Sequence, residues 1–321
     1  MQTAKIINER KPFDWNYDAP IGFSHDTSVN SAARAISYYT KDPHHYSIVF
    51  AGGGVSIDRD NNPQHTYEAA SGRPFSGRIG VLNSKGAATP NYFHWMVDCL
   101  SRVDLLGDLA EYTAIVLPAV TKSFQELTLR ELQLDCPLVH ASQGDTIRAE
   151  EIVIPTARRP THFQVASWMV EFLRAAFLPI AAPIETPRRV FISRGQRGLR
   201  TLLNEGDVVQ ELKARGFETV FLENMSLSAQ VATLCNAEAV VAPHGAGLTN
   251  AAFCNPGTKV IEIFSPHYLG GLFFSLSRHA GCEYRFILGS PSEFDCALNK
   301  NSQDILVDPA VLRECLNHAG L

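Results

Sequence analysis

Short apolar runs alternate with longer segments of helical period along most of this chain. Residues 46–51, 55–58, 78–83, 113–118 and 151–155 read as strands, and 91–106, 123–134 and 164–177 as helices. After an Ala-Ala-Pro-Ile-Glu-Thr-Pro linker at 181–187 the alternation resumes. Strands are expected at 190–193, 218–222, 239–242, 259–264 and 283–288, with helices after Asn204, at 226–236, at 272–280 and at 309–318. Asn204 and Ser226 are candidate helix caps, and Gly216 a helix stop. Alternation of this kind predicts an α/β protein. The expected layout is a partly ordered lead-in over 1–44, a first α/β domain over 45–180 and a second over 188–300. A C-terminal helix within 301–321 can pack back on the first domain.

The 321 residues are 45% hydrophobic and 19% charged, enough to bury two ordinary cores. A net charge of -5 argues against broad nucleic-acid binding. Seven cysteines without a Cys-x-x-Cys pair suit reduced thiols in a cytosol better than a disulfide framework. The first residues, MQTAKIINERKPFDW, lack an apolar core of signal-peptide length, and no run reaches membrane-spanning length. A cytoplasmic protein is therefore expected, one that meets lipid-linked material only from the membrane surface.

The stretch 240–263, VVAPHGAGLTNAAFCNPGTKVIEI, organises the second half. A buried strand runs into Pro243-His244-Gly245-Ala246-Gly247, then a helix starts, and Asn255-Pro256-Gly257 stops it. Glycines 245 and 247 allow close approach of another group. A helix start beyond the carboxyl end of a strand offers N–H groups to an anion. The stretch reads as a diphosphate seat, or as a plain strand–helix turn. Residues 188–200 hold five arginines, 188, 189, 194, 197 and 200, and no acid. Their loop also follows a strand, and guanidinium forks match phosphate oxygens. The alternative is a solvated basic loop. Glu223 ends a strand where a doubly wound fold often meets a ribose or base. Glu262 lies in an apolar strand and must be paired, by ribose hydroxyls or by an arginine.

Other chemistries find less support. Gly52-Gly53-Gly54 has no Lys-Ser/Thr after it and reads as a hairpin bend. Asp58-Arg59-Asp60 has a metal-binding form but runs into the turn Asn61-Asn62-Pro63. A Gly-x-Ser-x-Gly elbow, zinc spacings and a Gly-x-Gly-x-x-Gly turn are all missing. In the helix at 91–106, Phe93, Val97, Leu100 and Val103 form an apolar face. His94, Asp98 and Arg102 share another face, beside Asn91 and Trp95. That line is either a salt-bridged surface or a catalytic stripe.

Taken in order, these motifs resemble glycosyltransferase family 61, including its bacterial members concerned with capsular or other surface polysaccharide. The resemblance rests on Asn91-Tyr92-Phe93-His94-Trp95, Phe191-Ile192-Ser193-Arg194 with Arg200 and Asn204-Glu205, His244 to Asn250, Pro256-Gly257-Thr258 and Val260-Ile261-Glu262-Ile263. It implies a GT-B architecture of two Rossmann-like domains. It also implies inverting, metal-independent transfer from a nucleotide sugar, typically a UDP-sugar, to a saccharide or lipid-linked glycan, with no further cofactor. Joined to the residues' own reading, it puts the donor on Arg194, Arg197, Arg200, Glu223, His244, Gly245, Ala246, Gly247, Asn250 and Glu262. The acceptor side is Asn91, Trp95 and Arg102, with Asp98 as general base assisted by His94. Histidine exchanges protons near neutral pH, so His94 is a rival for the base. A sugar-nucleotide epimerase, or a non-catalytic nucleotide-sugar-binding module, could share the architecture and the diphosphate seat.

Overall fold

The computed structural model describes residues 35–42, 45–51, 53–57, 63–66, 72–83, 91–155, 164–195, 200–265, 268–290 and 304–321. Those from 35 to 155 form one compact unit and those from 164 to 321 another. Asp58, Asp60 and Arg197 lie outside the described residues, as do residues 1–34 of the expected lead-in.

The first unit contains β1 (Ala35–Asp42), β2 (His45–Ala51), β3 (Gly54–Ile57), β4 (Pro63–Thr66), β5 (Arg73–Pro74) and β6 (Arg78–Val81). It continues through β7 (Ala114–Pro118), β8 (Leu138–Ala141), β9 (Thr146–Arg148) and β10 (Glu151–Pro155). Its main sheet has the order β1-β2-β10-β6-β7-β8. β10, β6, β7 and β8 run parallel, while β2 is antiparallel to both β1 and β10. β1 thus extends regular structure into the segment expected as a lead-in. The hairpin expected at Gly52–Gly54 does not form. Both edges of β2 are already taken, and β3 pairs instead with β4 and β9 in a second, small sheet. Val55, Ile79, Val81, Val116, Val139 and Ile152 join in one core. β7 is buried at every position, which explains its unbroken apolar run.

The segment expected as one amphipathic α-helix over 91–106 is neither α-helical throughout nor amphipathic. His94–Cys99 forms a π turn, and Leu100–Leu106 a 3₁₀ run. Residues 95–101 are all buried. The Cys99 thiol donates to Leu82 O at 3.4 Å, beside β6. Trp95 is fully buried, and its Nε1 donates to Thr128 Oγ1 at 2.8 Å, on α1 (Ser123–Leu132). The segment is thereby anchored to both the sheet edge and a helix, and only its partly buried residues, His94 and Arg102 among them, reach solvent. Trp95 is a core residue and offers nothing to an acceptor. Trp95→Ala is expected to lower the stability of this unit by about 3–5 kcal/mol. Trp95→Phe, which keeps most of the volume, should cost well under half of that, and chemical denaturation of both variants tests the difference.

The second unit is a five-stranded, wholly parallel sheet. Its strands are β11 (Arg189–Ile192), β12 (Glu218–Val220), β13 (Ala239–Pro243), β14 (Lys259–Phe264) and β15 (Glu283–Leu288), in the order β12-β11-β13-β14-β15. Its helices are α2 (Ser167–Phe177), α3 (Glu205–Lys213), α4 (Leu227–Asn236), α5 (Leu272–His279) and α6 (Pro309–His318). Phe191, Val241, Ile261 and Ile287 pack in one core with Val208 and Leu212 of α3 and Leu312 and Leu316 of α6. Hence α6 completes the core of its own unit. Arg215 Nη2 to Asn317 Oδ1 at 2.8 Å, and Arg313 to Glu211 at 3.0 Å, hold it there. α2 also belongs to this unit, although it precedes the linker. Arg174 Nη1 donates to Ala252 O and Cys254 O at 2.7 and 2.6 Å, and Phe177 meets Phe253 edge-on.

Ser226 caps α4, its Oγ accepting from Ala229 N at 3.2 Å. Gly216, at φ +77°, takes the left-handed turn after α3. Asn204 does not cap α3: its amide pairs instead with both Val307 N and Val307 O. Among the described residues no helix is long and apolar enough to cross a membrane.

Candidate functional site

In the second unit the chain passes from β11 through α3 to β12 on one side, then through α4 to β13 on the other. The sheet therefore reverses its winding between β11 and β13. In open α/β sheets ligands occupy the crevice beyond the carboxyl ends of the two strands that flank such a reversal. Arg194 and His244 follow those two strand ends. Arg194 Nη1 donates to His244 O at 2.8 Å. A Cβ on Gly245 would lie 1.6 Å from that nitrogen. Gly245 has φ 173°, open to any residue, so the guanidinium's approach is what requires glycine here. Gly247 serves packing: a Cβ there would sit 3.3 Å from Leu222 Cδ1 and 3.4 Å from Ile192 Cγ2.

His244 is only 4% exposed. Its N–H donates to Ile263 O at 2.8 Å, fixing the turn to β14. The ring stacks on Phe264 at 5.2 Å and meets Tyr268 at 4.9 Å and Phe273 at 5.2 Å. Nδ1 bonds Oε1 of the fully buried Glu262, whose Oε2 accepts from the Tyr284 hydroxyl. Both carboxylate oxygens are therefore occupied. The hydrogen-bond partners of Glu262 are thus a histidine and a tyrosine, neither of which the sequence singled out for it. The Arg200 guanidinium lies 5.3 Å from the Tyr268 ring centroid, a cation–π contact that extends the cluster. Burial pushes the Arg200 pKa down, partly offset by Tyr268 and Glu262.

A supporting layer shapes the Arg194 loop. Ser193 Oγ donates to Glu205 Oε1 at 2.6 Å and accepts from Gly195 N at 3.0 Å. Gly195 then turns at φ +56°. The helix expected after His244 is a 3₁₀ run, Ala246–Phe253, which opens at the same sheet edge. Asn250 lies within that run. It is buried, and its Nδ2 donates to Gln230 Oε1 at 3.0 Å, while Gln230 Nε2 donates to Leu222 O and Met225 O. Asn250 thus braces the chain after β12. Glu223 is exposed in the short turn Leu222–Asn224.

A cavity of about 930 Å³ opens at the opposite, amino edge of the sheet, between Arg188, Arg189, Glu238 and Lys259. Glu238 already binds both arginines, at 3.1 and 2.6 Å, and they hold its carboxyl below the usual carboxylate range. The chemistry-bearing residues lie at the other edge.

In the first unit, Asn91 Oδ1 accepts from Phe93 N at 2.9 Å and His94 N at 3.3 Å, so Asn91 starts the helical segment. His94 Nδ1 bonds Asp98 Oδ2 at 2.6 Å across the π turn. Single π turns inside helical segments are frequent at functional sites. The His94 side chain is 33% exposed and that of Asp98 11%, so the pair stands at a surface with the carboxylate mostly sheltered. Arg102 lies beyond the change to 3₁₀ winding and donates to Pro155 O at 3.4 Å, at the end of β10. Tyr268 and Tyr284 were not legible as site residues in the sequence. Tyr284 sits in an edge strand of ordinary β composition, and only the pairing of β14 with β15 brings it to Glu262.

A family model described as Glycosyltransferase 61 matches residues 92–261. The match takes in His94, Asp98, Arg194, Arg200 and the His244 turn, and it stops one residue short of Glu262. Comparison with curated proteins finds none that matches the chain.

Proposed function

This chain belongs to glycosyltransferase family 61, and we propose that it transfers a sugar from a UDP-sugar to a saccharide or lipid-linked glycan, with inversion and without a metal. The reading is carried by the Arg194–His244 pair at the winding reversal of the parallel sheet. Two cationic or hydrogen-bonding side chains there, with Arg200 nearby, can take up the charge that develops on a leaving diphosphate. The 3₁₀ run that opens at Ala246 adds backbone N–H groups to the same edge. Arg197, in the same loop, is a further candidate for this seat.

Asp98 is the proposed base, with His94 holding and orienting its carboxylate. The acceptor hydroxyl attacks the anomeric carbon as the bond to the diphosphate breaks. Its proton passes to Asp98, and the configuration inverts because attack comes from the face opposite the leaving group. A GT-B arrangement of the two units, as the family resemblance implies, belongs to this proposal. So does a cytoplasmic role in surface-polysaccharide synthesis, with contact to membrane only at its surface.

Calorimetric titration with UDP and with uridine, each with and without EDTA, tests the donor site. UDP is expected to bind more tightly than uridine by at least tenfold, about 1.4 kcal/mol, with no change in EDTA. A large loss in EDTA would restore a metal to the reading and return attention to Asp58 and Asp60.

A further inference from the structure

We infer that Glu262 and Tyr284 are positioning residues, which hold a proton of His244 on Nδ1 and orient the ring so that Nε2, when it too carries a proton, donates to an oxygen of the donor's leaving diphosphate. The inference rests on the donor site proposed above. Its starting point is a cost. Glu262 is completely buried in the strand Val260-Ile261-Glu262-Ile263-Phe264, where an apolar side chain would pack without any desolvation penalty. Nothing in the strand pairing requires a carboxylate: backbone ladders on both sides of β14 are complete at this position. Its two oxygens are instead spent on His244 Nδ1 and the Tyr284 hydroxyl.

An ionised Glu262 can only accept, which puts the shared proton on Nδ1. The ring plane is then fixed from three sides by Phe264, Tyr268 and Phe273, and the backbone by the bond from His244 N to Ile263 O. Nε2 is the ring nitrogen that Glu262 does not engage. Among the described residues, other charged or titratable groups beside this cluster include Arg194, on the His244 carbonyl, Arg200, over Tyr268, and Tyr268 itself. Tyr284 acts one step further back, by fixing the carboxylate that fixes the imidazole. An arrangement locked before the ligand arrives stabilises developing charge without reorganisation.

Two variants and one spectrum test this. Glu262→Gln keeps the shape but removes the charge and places an amide N–H₂ against the cluster. It should weaken UDP at least tenfold and uridine less than about twofold, while Tyr284→Phe should weaken UDP by roughly threefold. In the wild type, ¹⁵N spectra of the imidazole should show His244 protonated at Nδ1 with or without UDP, and the Nε2 resonance should be the one that UDP moves. A folded Glu262→Gln that binds UDP like the wild type, while His244→Ala does not, overturns the inference and leaves the donor site standing. A wild-type chain that binds no nucleoside diphosphate overturns the donor site instead. If Glu262→Gln does not fold, Tyr284→Phe and the wild-type spectrum decide, and an unprotonated Nδ1 overturns the inference.

Discussion

Asp98→Asn is expected to cut sugar transfer by about 10²–10⁴-fold while leaving UDP affinity nearly unchanged. The substitution keeps the side chain's shape and its contact with His94 but removes the basic oxygen. The geometry favours Asp98 as the proton acceptor for two reasons. Its carboxylate is mostly sheltered, at 11% exposure, and one oxygen is held by His94 Nδ1 at 2.6 Å. A base fixed in this way need not reorganise as the acceptor hydroxyl loses its proton. His94→Ala should be milder, a loss on the order of tenfold, since it removes the orienting partner and leaves the base. Steady-state transfer assays on both variants, with UDP binding measured alongside, separate the roles. Most activity retained in Asp98→Asn, with a large loss in His94→Ala, would hand the base to the histidine. Unchanged turnover in both would remove this segment from the chemistry.

Arg194→Ala and His244→Ala are each expected to weaken UDP by about 1.5–3 kcal/mol, roughly tenfold to a hundredfold, with little effect on uridine. Each removes a group that can form a charge-assisted bond with a phosphate oxygen. A third variant reaches the same site through geometry alone. In Gly245→Ala the new Cβ would stand 1.6 Å from Arg194 Nη1, so the guanidinium must leave the His244 carbonyl. The collision is with the far end of a flexible side chain, and φ 173° suits alanine, so the fold should survive. Gly245→Ala should therefore bind UDP about as weakly as Arg194→Ala, with a melting temperature close to that of the wild type. UDP binding unaffected in all three would place the donor elsewhere.

Much of this architecture was present in the linear pattern of residues. Parallel strands covered on both faces are largely apolar, so β7 and β13 stand out as unbroken runs bounded by turns, and β14 as a run interrupted inside by Glu262. The capping Ser226 and the stop at Gly216 are local events, settled by their nearest neighbours. The two loops that carry the candidate donor site were visible for the same reason: glycine and arginine in a turn after a strand are a local pattern.

Tertiary structure alone decided what those residues touch. Glu262 reads as a charge needing a partner, but its partner depends on register. β13 and β14 pair with Ala242 opposite Glu262, which puts the carboxylate beside His244, and β15 then supplies Tyr284. The helical period over 91–106 suggested one exposed stripe. Burial against both a strand end and α1 instead wound it as a π turn and a 3₁₀ run. α2 and α6 carry patterns that many surfaces could accept, and only tertiary contacts assign them to the second unit, α6 through its core and α2 through Ala252, Phe253 and Cys254. Hydrophobic period is a property of neighbouring residues. Pairing partners and packing faces are set between segments far apart in the chain, and the period does not encode them.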